Sequence, residues 1–346
     1  MVRECDVRKF YGRMRDAVSA AAASPLLIFP SASDADSLCA LKIITHVLSS
    51  DSIRYAVYPV SSFHEINDRV IVLHTPEDED QPTLDLSEDI DVLALANASD
   101  LNSDDELDEN PDSDVDSENQ FVHQRITDLR IAFEDEPRLM LLREWNLFDS
   151  MLCSSYIATK LKTWSDNGLK KLMLLLARMG FPLVECQKKF QYMSMEVKQR
   201  LKSELIRFLP EYGLTDLYYR SFLRMHGYSS KVSAADVVYG VTALLESFVE
   251  GEESSAAEQF WVAYSALSSN NLNQLKKGMQ NAIELQRAIL RQGSLAITKT
   301  GFIRSGRKFR WVKLEDPVDT KCLGHPQALT KFCFFLMDAL KERAQR

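Results

Sequence analysis

Two aspartates one residue apart, Asp34 and Asp36, are the side chains of this sequence whose types and spacing best suit chemistry. They follow an apolar, strand-like run at residues 26–29 and precede an amphipathic helical pattern at residues 37–49. Carboxylates at such a strand-to-helix switch can hold divalent metal ions that act on phosphate groups. The same stretch also fits an ordinary helix start, because Ser33 and Asp36 have the spacing of a capping box.

The sequence patterns on either side of these aspartates predict a βαβ unit, which would position them. Residues 26–29 and 54–60 have strand-like patterns and are expected to pair in parallel. The helix between them carries an apolar stripe, made of Leu38, Leu41, Ile44 and Leu48. A third strand is predicted at residues 70–74, but the nine residues before it are fewer than the dozen or so that a parallel crossover needs. We infer that a segment is missing around residues 66–67.

Acidic residues are concentrated in one segment. Of the 50 Asp and Glu residues, eighteen lie in residues 70–124, which hold no Lys or Arg, so the rest of the chain is basic although the net charge is −9. A segment of this composition cannot bury enough apolar surface to fold, which predicts a disordered linker at residues 76–120. Ser103 and Ser113 within it resemble acidophilic kinase sites, although acidic, serine-rich composition alone also explains them.

After the acidic segment the patterns are mostly helical. Residues 121–292 carry helical signals almost throughout, including two capping boxes, Ser233 with Asp236 and Ser255 with Glu258. The pattern changes near the end of the chain. Strand-like runs at residues 295–304 and 308–314 surround a tight turn at Ser305 and Gly306. An apolar helix is predicted at residues 326–346.

The predicted hairpin is strongly basic. Residues 285–314 hold eight Lys or Arg residues and no acid, with aromatic residues interleaved. Basic groups can follow phosphates while aromatic rings stack on bases, so this composition suits single-stranded DNA. The candidate contacts are Arg304, Arg307, Lys308, Arg310 and Trp311. The alternation at residues 308–313 equally fits a hairpin with one buried aromatic face and one solvated basic face.

The cysteine pattern and the N-terminal region indicate the compartment. Six cysteines are scattered without any CxxC motif, which fits a reducing compartment better than a disulfide framework. The apolar run at residues 17–30 is too short to span a membrane, and the charged N-terminus does not resemble a secretory signal. We therefore expect no membrane association.

Residues 26–48 resemble the first motif of the DHH phosphoesterase superfamily, which includes the RecJ nucleases. Three further stretches resemble the eukaryotic cell division control protein 45 family, which descends from RecJ, in the family's own order: residues 145–193, 227–247 and 267–289. The acidic run at residues 95–119 fits the same family. The resemblance covers most of the chain.

The resemblance implies a nuclear, non-catalytic DNA replication factor of the cell cycle, bound to chromatin at origins in the pre-initiation complex. Its implied partners are the MCM ring and the GINS complex of the replicative helicase, with single-stranded DNA as a further ligand. The resemblance implies that the protein needs no cofactor. It also implies that Asp34 and Asp36 are a vestige of the superfamily's metal-binding motif. The sequence lacks the Asp-His-His triplet of the active superfamily, and Ser37 stands where its nucleases prefer Gly. Two alternatives stay open, a residual metal-dependent phosphodiesterase that uses the two aspartates and an autonomous single-strand binder.

The expected fold class is α/β plus all-α. The resemblance implies a RecJ-like partial parallel sheet at residues 1–75, the acidic linker at residues 76–120 and a helical domain at residues 121–292. It also implies the remnant of a second α/β domain at residues 293–346. Compared with the family pattern, the chain is expected to be a shortened form that lacks internal and C-terminal segments.

Overall fold

The computed structural model describes residues 7–20, 25–62, 64–66, 131–226, 230–246, 255–314 and 316–344. The chain divides into two compact units. The first comprises Met1–Gln120 and Ser254–Tyr264, and the second comprises Phe121–Glu253 and Ser265–Arg346. The predicted third strand, the predicted linker and the serines at positions 103 and 113 lie outside the described residues. The domain boundaries predicted from the sequence stay predictions.

The first unit contains the predicted βαβ arrangement. After helix α1 (Val7–Ala20), strand β1 (Leu26–Ile28), helix α2 (Ala35–Ser50) and strand β2 (Tyr55–Val57) follow in order. The two strands pair in parallel with Leu27 opposite Ala56, which confirms the predicted direction. Both strands are shorter than expected, although a parallel bridge between Ser31 and Val60 continues the pairing beyond them.

Helix α2 buries a slightly different stripe from the one predicted. Leu38, Leu41 and Leu48 are buried, but Ile44 is 42% exposed and Thr45 takes its place in the stripe. Positions 44 and 45 both fit the helical spacing of the stripe, and the prediction chose Ile44 because its side chain is apolar. A buried hydroxyl is tolerated there because Thr45 Oγ1 donates to the Leu41 carbonyl at 2.9 Å and lies 3.0 Å from the hydroxyl of Tyr264, on helix α9 (Ala256–Ala266).

The second unit begins with a sheet that the sequence analysis missed. Strands β3 (Ile131–Pro137), β4 (Tyr218–His226) and β5 (Ser230–Ser233) form an antiparallel sheet in that order. The expectation of helix almost throughout residues 121–292 was therefore wrong for these three strands. In β4 the buried Ser221 and Leu223 alternate with the exposed Phe222, a two-residue period that marks a strand.

Seven further helices build most of the second unit, in this order: α3 (Leu147–Cys153), α4 (Ser155–Leu161), α5 (Asp166–Arg178), α6 (Leu183–Cys186), α7 (Met195–Phe208), α8 (Ala234–Leu245) and α10 (Leu272–Thr298). Helices α3 to α7 share one core, which includes Met151, Ile157, Leu172, Leu175 and Leu205. Both predicted capping boxes are confirmed. Ser233 Oγ accepts from the Asp236 amide at 3.1 Å, and Ser255 Oγ accepts from the Glu258 amide at 3.2 Å.

The C-terminal elements pack on the long helix α10. Strands β6 (Ile303–Ser305) and β7 (Arg310–Val312) form the predicted hairpin, followed by helices α11 (Pro317–Leu323) and α12 (Pro326–Ala344). The strand predicted from residue 295 was wrong in its first half, because α10 continues to Thr298. Ile289 and Ala296 of α10 share a core with Leu323, Phe332 and Phe335. Among the described residues, no helix is long and apolar enough to cross a membrane.

The fold as a whole is mixed α/β with a large helical share, as the sequence predicted in outline. The finer expectation of a RecJ-like or DHH-like sheet stays a prediction.

Candidate functional site

The strand-to-helix switch after β1 places Asp34 at the N-cap of α2. Its backbone is extended, and its carboxylate accepts three hydrogen bonds from the first turn of the helix. Oδ1 accepts from the Asp36 amide at 3.2 Å, and Oδ2 accepts from the Ser37 amide at 3.2 Å and from the Ser37 hydroxyl at 2.9 Å. The carboxylate therefore satisfies amide donors that an uncapped helix start would leave unpaired.

The helix start is capped by a side chain, as one of the two interpretations predicted, but the capping residue is a different one. Ser33 was the predicted cap, whereas the cap is Asp34, one position later. Ser37 was singled out only as a departure from Gly, yet its hydroxyl donates to Asp34. A carboxylate followed three residues later by a hydroxyl was the sequence signal that could have found this contact.

Asp36 lies exposed in the first turn of α2, one residue beyond the start of the helix. Negative charge is favourable there because the helix dipole is positive at its N-terminus. The charge also acts on Cys39, whose thiol pKa is raised by burial and further by the carboxylates of Asp36 and Asp34. The switch therefore gathers negative charge at one end of α2.

Two other possible ligands, His64 and Glu65, follow β2 in the chain. Glu65 Oε2 accepts from the Ser61 amide at 3.0 Å, and His64 is exposed beside it. Within the part of the chain that the structure describes, no three His, Cys, Asp or Glu side chains form a group that could hold a metal ion. The contacts of Asp34 show one role for this arrangement, which is to cap the start of α2.

The basic hairpin forms a second candidate site. Its register sets Ile303 opposite Val312 and Arg304 opposite Trp311. Ile303 and Val312 pack against the core around α10 and α12, as does the partly buried Phe302. On the other face Trp311 is 46% exposed, and its ring lies 5.1 Å from the guanidinium carbon of Arg304.

The tip of the hairpin presents its charges to solvent. Gly306 donates its amide to the Phe309 carbonyl at 2.8 Å, which closes a turn that contains Arg307 and Lys308. The Phe309 ring lies over Gly306 and is 67% exposed, and Arg307, Lys308 and Arg310 are exposed as well. The interpretation with a buried aromatic face therefore does not hold for Phe309 and Trp311. The structure brings all five predicted DNA contacts together on one short hairpin.

Comparison with known proteins shows where this chain belongs. A family model described as CDC45 matches residues 26–98 and 97–346. The cell division control protein 45 homolog of Schizosaccharomyces pombe is 38% identical over 240 residues, which cover 62% of this chain and 38% of that protein. The homolog of Dictyostelium discoideum is 39% identical over 242 residues, covering 69% of this chain and 37% of that protein. The chain thus spans well under half the length of these curated relatives.

The human homolog shows the same pattern, with 32% identity over 202 residues that cover 58% of this chain and 35% of that protein. The fold is similar to the crystal structure of CDC45 from Entamoeba histolytica, with a TM-score of 0.70 and 17% identity. That match covers 98% of this chain and 83% of the solved chain. Because the family model spans nearly the whole sequence, the chain belongs to the CDC45 family.

Proposed function

We propose that this chain is a DNA replication factor that supplies binding surfaces to the replicative helicase and performs no catalysis. Membership of the CDC45 family supports the role in replication, since the matched relatives bear the name cell division control protein 45. The proposed partners are the MCM ring and the GINS complex, and the proposed place of action is chromatin at origins in the nucleus. The acidic segment, with the kinase-like Ser103 and Ser113, would modulate these contacts electrostatically.

One observation carries the non-catalytic part of the proposal. Both carboxylate oxygens of Asp34 accept hydrogen bonds from Asp36 and Ser37, so the residue acts in holding the first turn of α2. Two-metal phosphoesterase sites instead need several carboxylates and imidazoles that converge on ions about 3.5–4 Å apart. The aspartates of this family motif are therefore proposed to be retained for folding.

The alternative of a residual phosphodiesterase has a direct experiment. The purified full chain is incubated with millimolar manganese and a labelled single-stranded oligonucleotide, alongside Asp36→Ala. We expect the oligonucleotide to stay intact with both proteins. Cleavage by the parent chain that disappears in Asp36→Ala would show a working metal site and overturn the proposal.

Single-stranded DNA binding is a second candidate function, favoured by the exposed hairpin. Trp311 and Phe309 offer accessible rings, while Arg307, Lys308 and Arg310 surround them with positive charge. Aromatic stacking and phosphate contacts are the two interactions that bind single strands without reading their sequence. On this proposal the hairpin would hold a strand while the partner proteins do the unwinding.

A further inference from the structure

A cavity of about 430 Å³ lies within the second unit, and none of the described lining residues belongs to the C-terminal hairpin. Its volume falls in the range of small-molecule sites, which is about 300–1,000 Å³. The lining residues that carry the argument are Arg138, Tyr219, Tyr239, Lys331, Phe334 and Asp338. They come from the end of β3 and from β4, α8 and α12, so the fold alone assembles them.

Two cations line this cavity, and each lies over a tyrosine ring. The guanidinium carbon of Arg138 is 5.4 Å from the ring centre of Tyr219. The ammonium nitrogen of Lys331 is 5.7 Å from the ring centre of Tyr239. The aromatic faces hold both cations in place while their donor groups stay available.

Neither cation is neutralised by an ion pair within the described ranges. Among the described residues, Arg138 donates a hydrogen bond through Nε alone, to the Asp216 carbonyl at 2.9 Å, and its two terminal nitrogens have no partner there. Burial lowers the pKa of Lys331, although the charge of Glu246 opposes this. Glu246 itself caps α12, because its carboxylate oxygens accept from the amides of Gln327 at 2.6 Å and Ala328 at 3.0 Å.

The remaining polar lining can donate hydrogen bonds to an anion. Burial raises the pKa of the phenols of Tyr219 and Tyr239, and the charge of Asp236 raises both further, as does that of Glu136 for Tyr219. A neutral phenol can donate its proton in a hydrogen bond. Asp338, the one carboxylate among the described lining residues, lies 4.0 Å from the ammonium of Lys341 on the same helix. The Lys331 ammonium is partly buried, and the charge of Glu246 offsets only part of the cost of burying it, because its pKa stays lowered. A bound anion would reduce that cost further.

We propose that this cavity binds a small phosphate-bearing molecule, with the phosphate held between Arg138 and Lys331 and hydrogen-bonded by the hydroxyls of Tyr219 and Tyr239. Arginine matches phosphate oxygens with two parallel donors, and lysine adds a compact charge. Phe334, which lines the same cavity and is 59% exposed, offers a ring for a flat group attached to the phosphate. A nucleoside monophosphate and free phosphate share the recognised chemistry.

Isothermal titration of the full chain tests this with three probes at constant ionic strength: inorganic phosphate, AMP and adenosine. We expect saturable binding of phosphate and AMP and none of adenosine. AMP binding more tightly than phosphate would identify a nucleotide as the ligand, whereas equal affinities would identify free phosphate. Adenosine binding as tightly as AMP, or no binding of phosphate or AMP below about 10 mM, where binding free energy is under about 3 kcal/mol, would overturn the proposal.

Variants locate the site. Lys331→Met nearly keeps the length of the side chain and removes its charge. Arg138→Gln removes the charge at the exposed rim with a shorter polar side chain. Each should weaken AMP binding about tenfold or more, because a charge-assisted hydrogen bond is lost. Lys331→Arg should retain binding, and Lys171→Met on the exposed face of α5 serves as the matched control. Melting curves show whether each variant folds. Unchanged AMP affinity in both Arg138→Gln and a folded Lys331→Met would refute the site.

Discussion

Arg304 and Trp311 face each other across the C-terminal hairpin, with the guanidinium carbon 5.1 Å from the centre of the indole ring. The contact lies on the face opposite Ile303 and Val312, which pack on the core. Trp311 is 46% exposed there, although it also lines an apolar cavity together with Leu329 and Phe332 of α12. A surface ring flanked by charge is what a single-strand contact needs.

The salt dependence of DNA binding tests the charges at the hairpin tip. Replacing Arg307, Lys308 and Arg310 together by Ala should flatten the slope of log K against log salt by about 2, since each phosphate contact on a single strand contributes about 0.7. Fluorescence anisotropy with a labelled oligonucleotide at several salt concentrations measures the slope. Lys170→Ala with Lys171→Ala on α5 is the control. An unchanged slope in the hairpin variant would eliminate this site.

Trp311→Ala separates a stacking ring from a structural one. If a base stacks on Trp311, the variant should bind single strands about 1–3 kcal/mol more weakly. Because the ring is 46% exposed, we expect its removal to cost less folding stability than truncation of a fully buried ring would. Affinity and the free energy of unfolding are measured on the same preparation. A large loss of stability with unchanged affinity would assign the ring to the core.

Helices α8 and α10 approach closely at Gly240 and Gly278. A Cβ at Gly278 would lie 2.3 Å from the Gly240 carbonyl oxygen and 2.7 Å from Leu244 Cγ. Backbone atoms cannot move aside locally, so Gly278→Ala should lower the free energy of unfolding by about 1–3 kcal/mol in urea. Gly12→Ala is the control, because nothing lies within 4 Å of its Cβ. Equal stability of Gly278→Ala and the parent would contradict the close crossing.

The carboxyl of Asp236 predicts a specific pH dependence of stability. Burial raises its pKa to about 6, although Arg143, whose NH1 lies 3.6 Å from Oδ2, works in the opposite direction. In the unfolded chain the pKa is about 3.9, so the folded state retains this proton to higher pH. The stability that the group contributes is complete below about pH 4 and is lost as the pH rises through about 6.

Asp236→Asn removes this titration. The stability of the parent relative to the variant should fall by about 1–3 kcal/mol between about pH 4.5 and about pH 7.5. Urea unfolding at a series of pH values measures the difference, and Asp166→Asn, at an exposed first-turn position of α5, controls for general charge effects. A difference that stays constant with pH would show that Asp236 does not titrate in this range.

Local sequence patterns were enough to predict the elements whose contacts are local. The helix after the first strand and the capping boxes at Ser233 and Ser255 depend on residues a few positions apart. The family resemblance was also visible in the sequence, and the family model confirms it.

What the sequence could not predict depends on distant pairing. Strand β3 exists because it pairs with β4, with Phe133 opposite Phe222, and an acidic run such as residues 134–136 has little strand preference of its own. The cavity cations Arg138 and Lys331 belong to no common motif, since only the tertiary fold brings the end of β3 and α12 to one cavity. The exposure of Trp311 could not be predicted either, because it depends on which face of the hairpin packs against the core.

The central claim is tested most directly by measuring whether the chain assembles with its proposed partners. The purified full chain is mixed with a purified MCM ring and GINS complex, and sedimentation velocity measures whether all three migrate as one species. We predict a single complex that contains the chain, and we predict that Asp36→Ala joins it equally well, because the aspartates are proposed to serve the fold of α2 and not catalysis. Sedimentation of the chain by itself at micromolar concentrations, with both partners folded and present, would contradict the account.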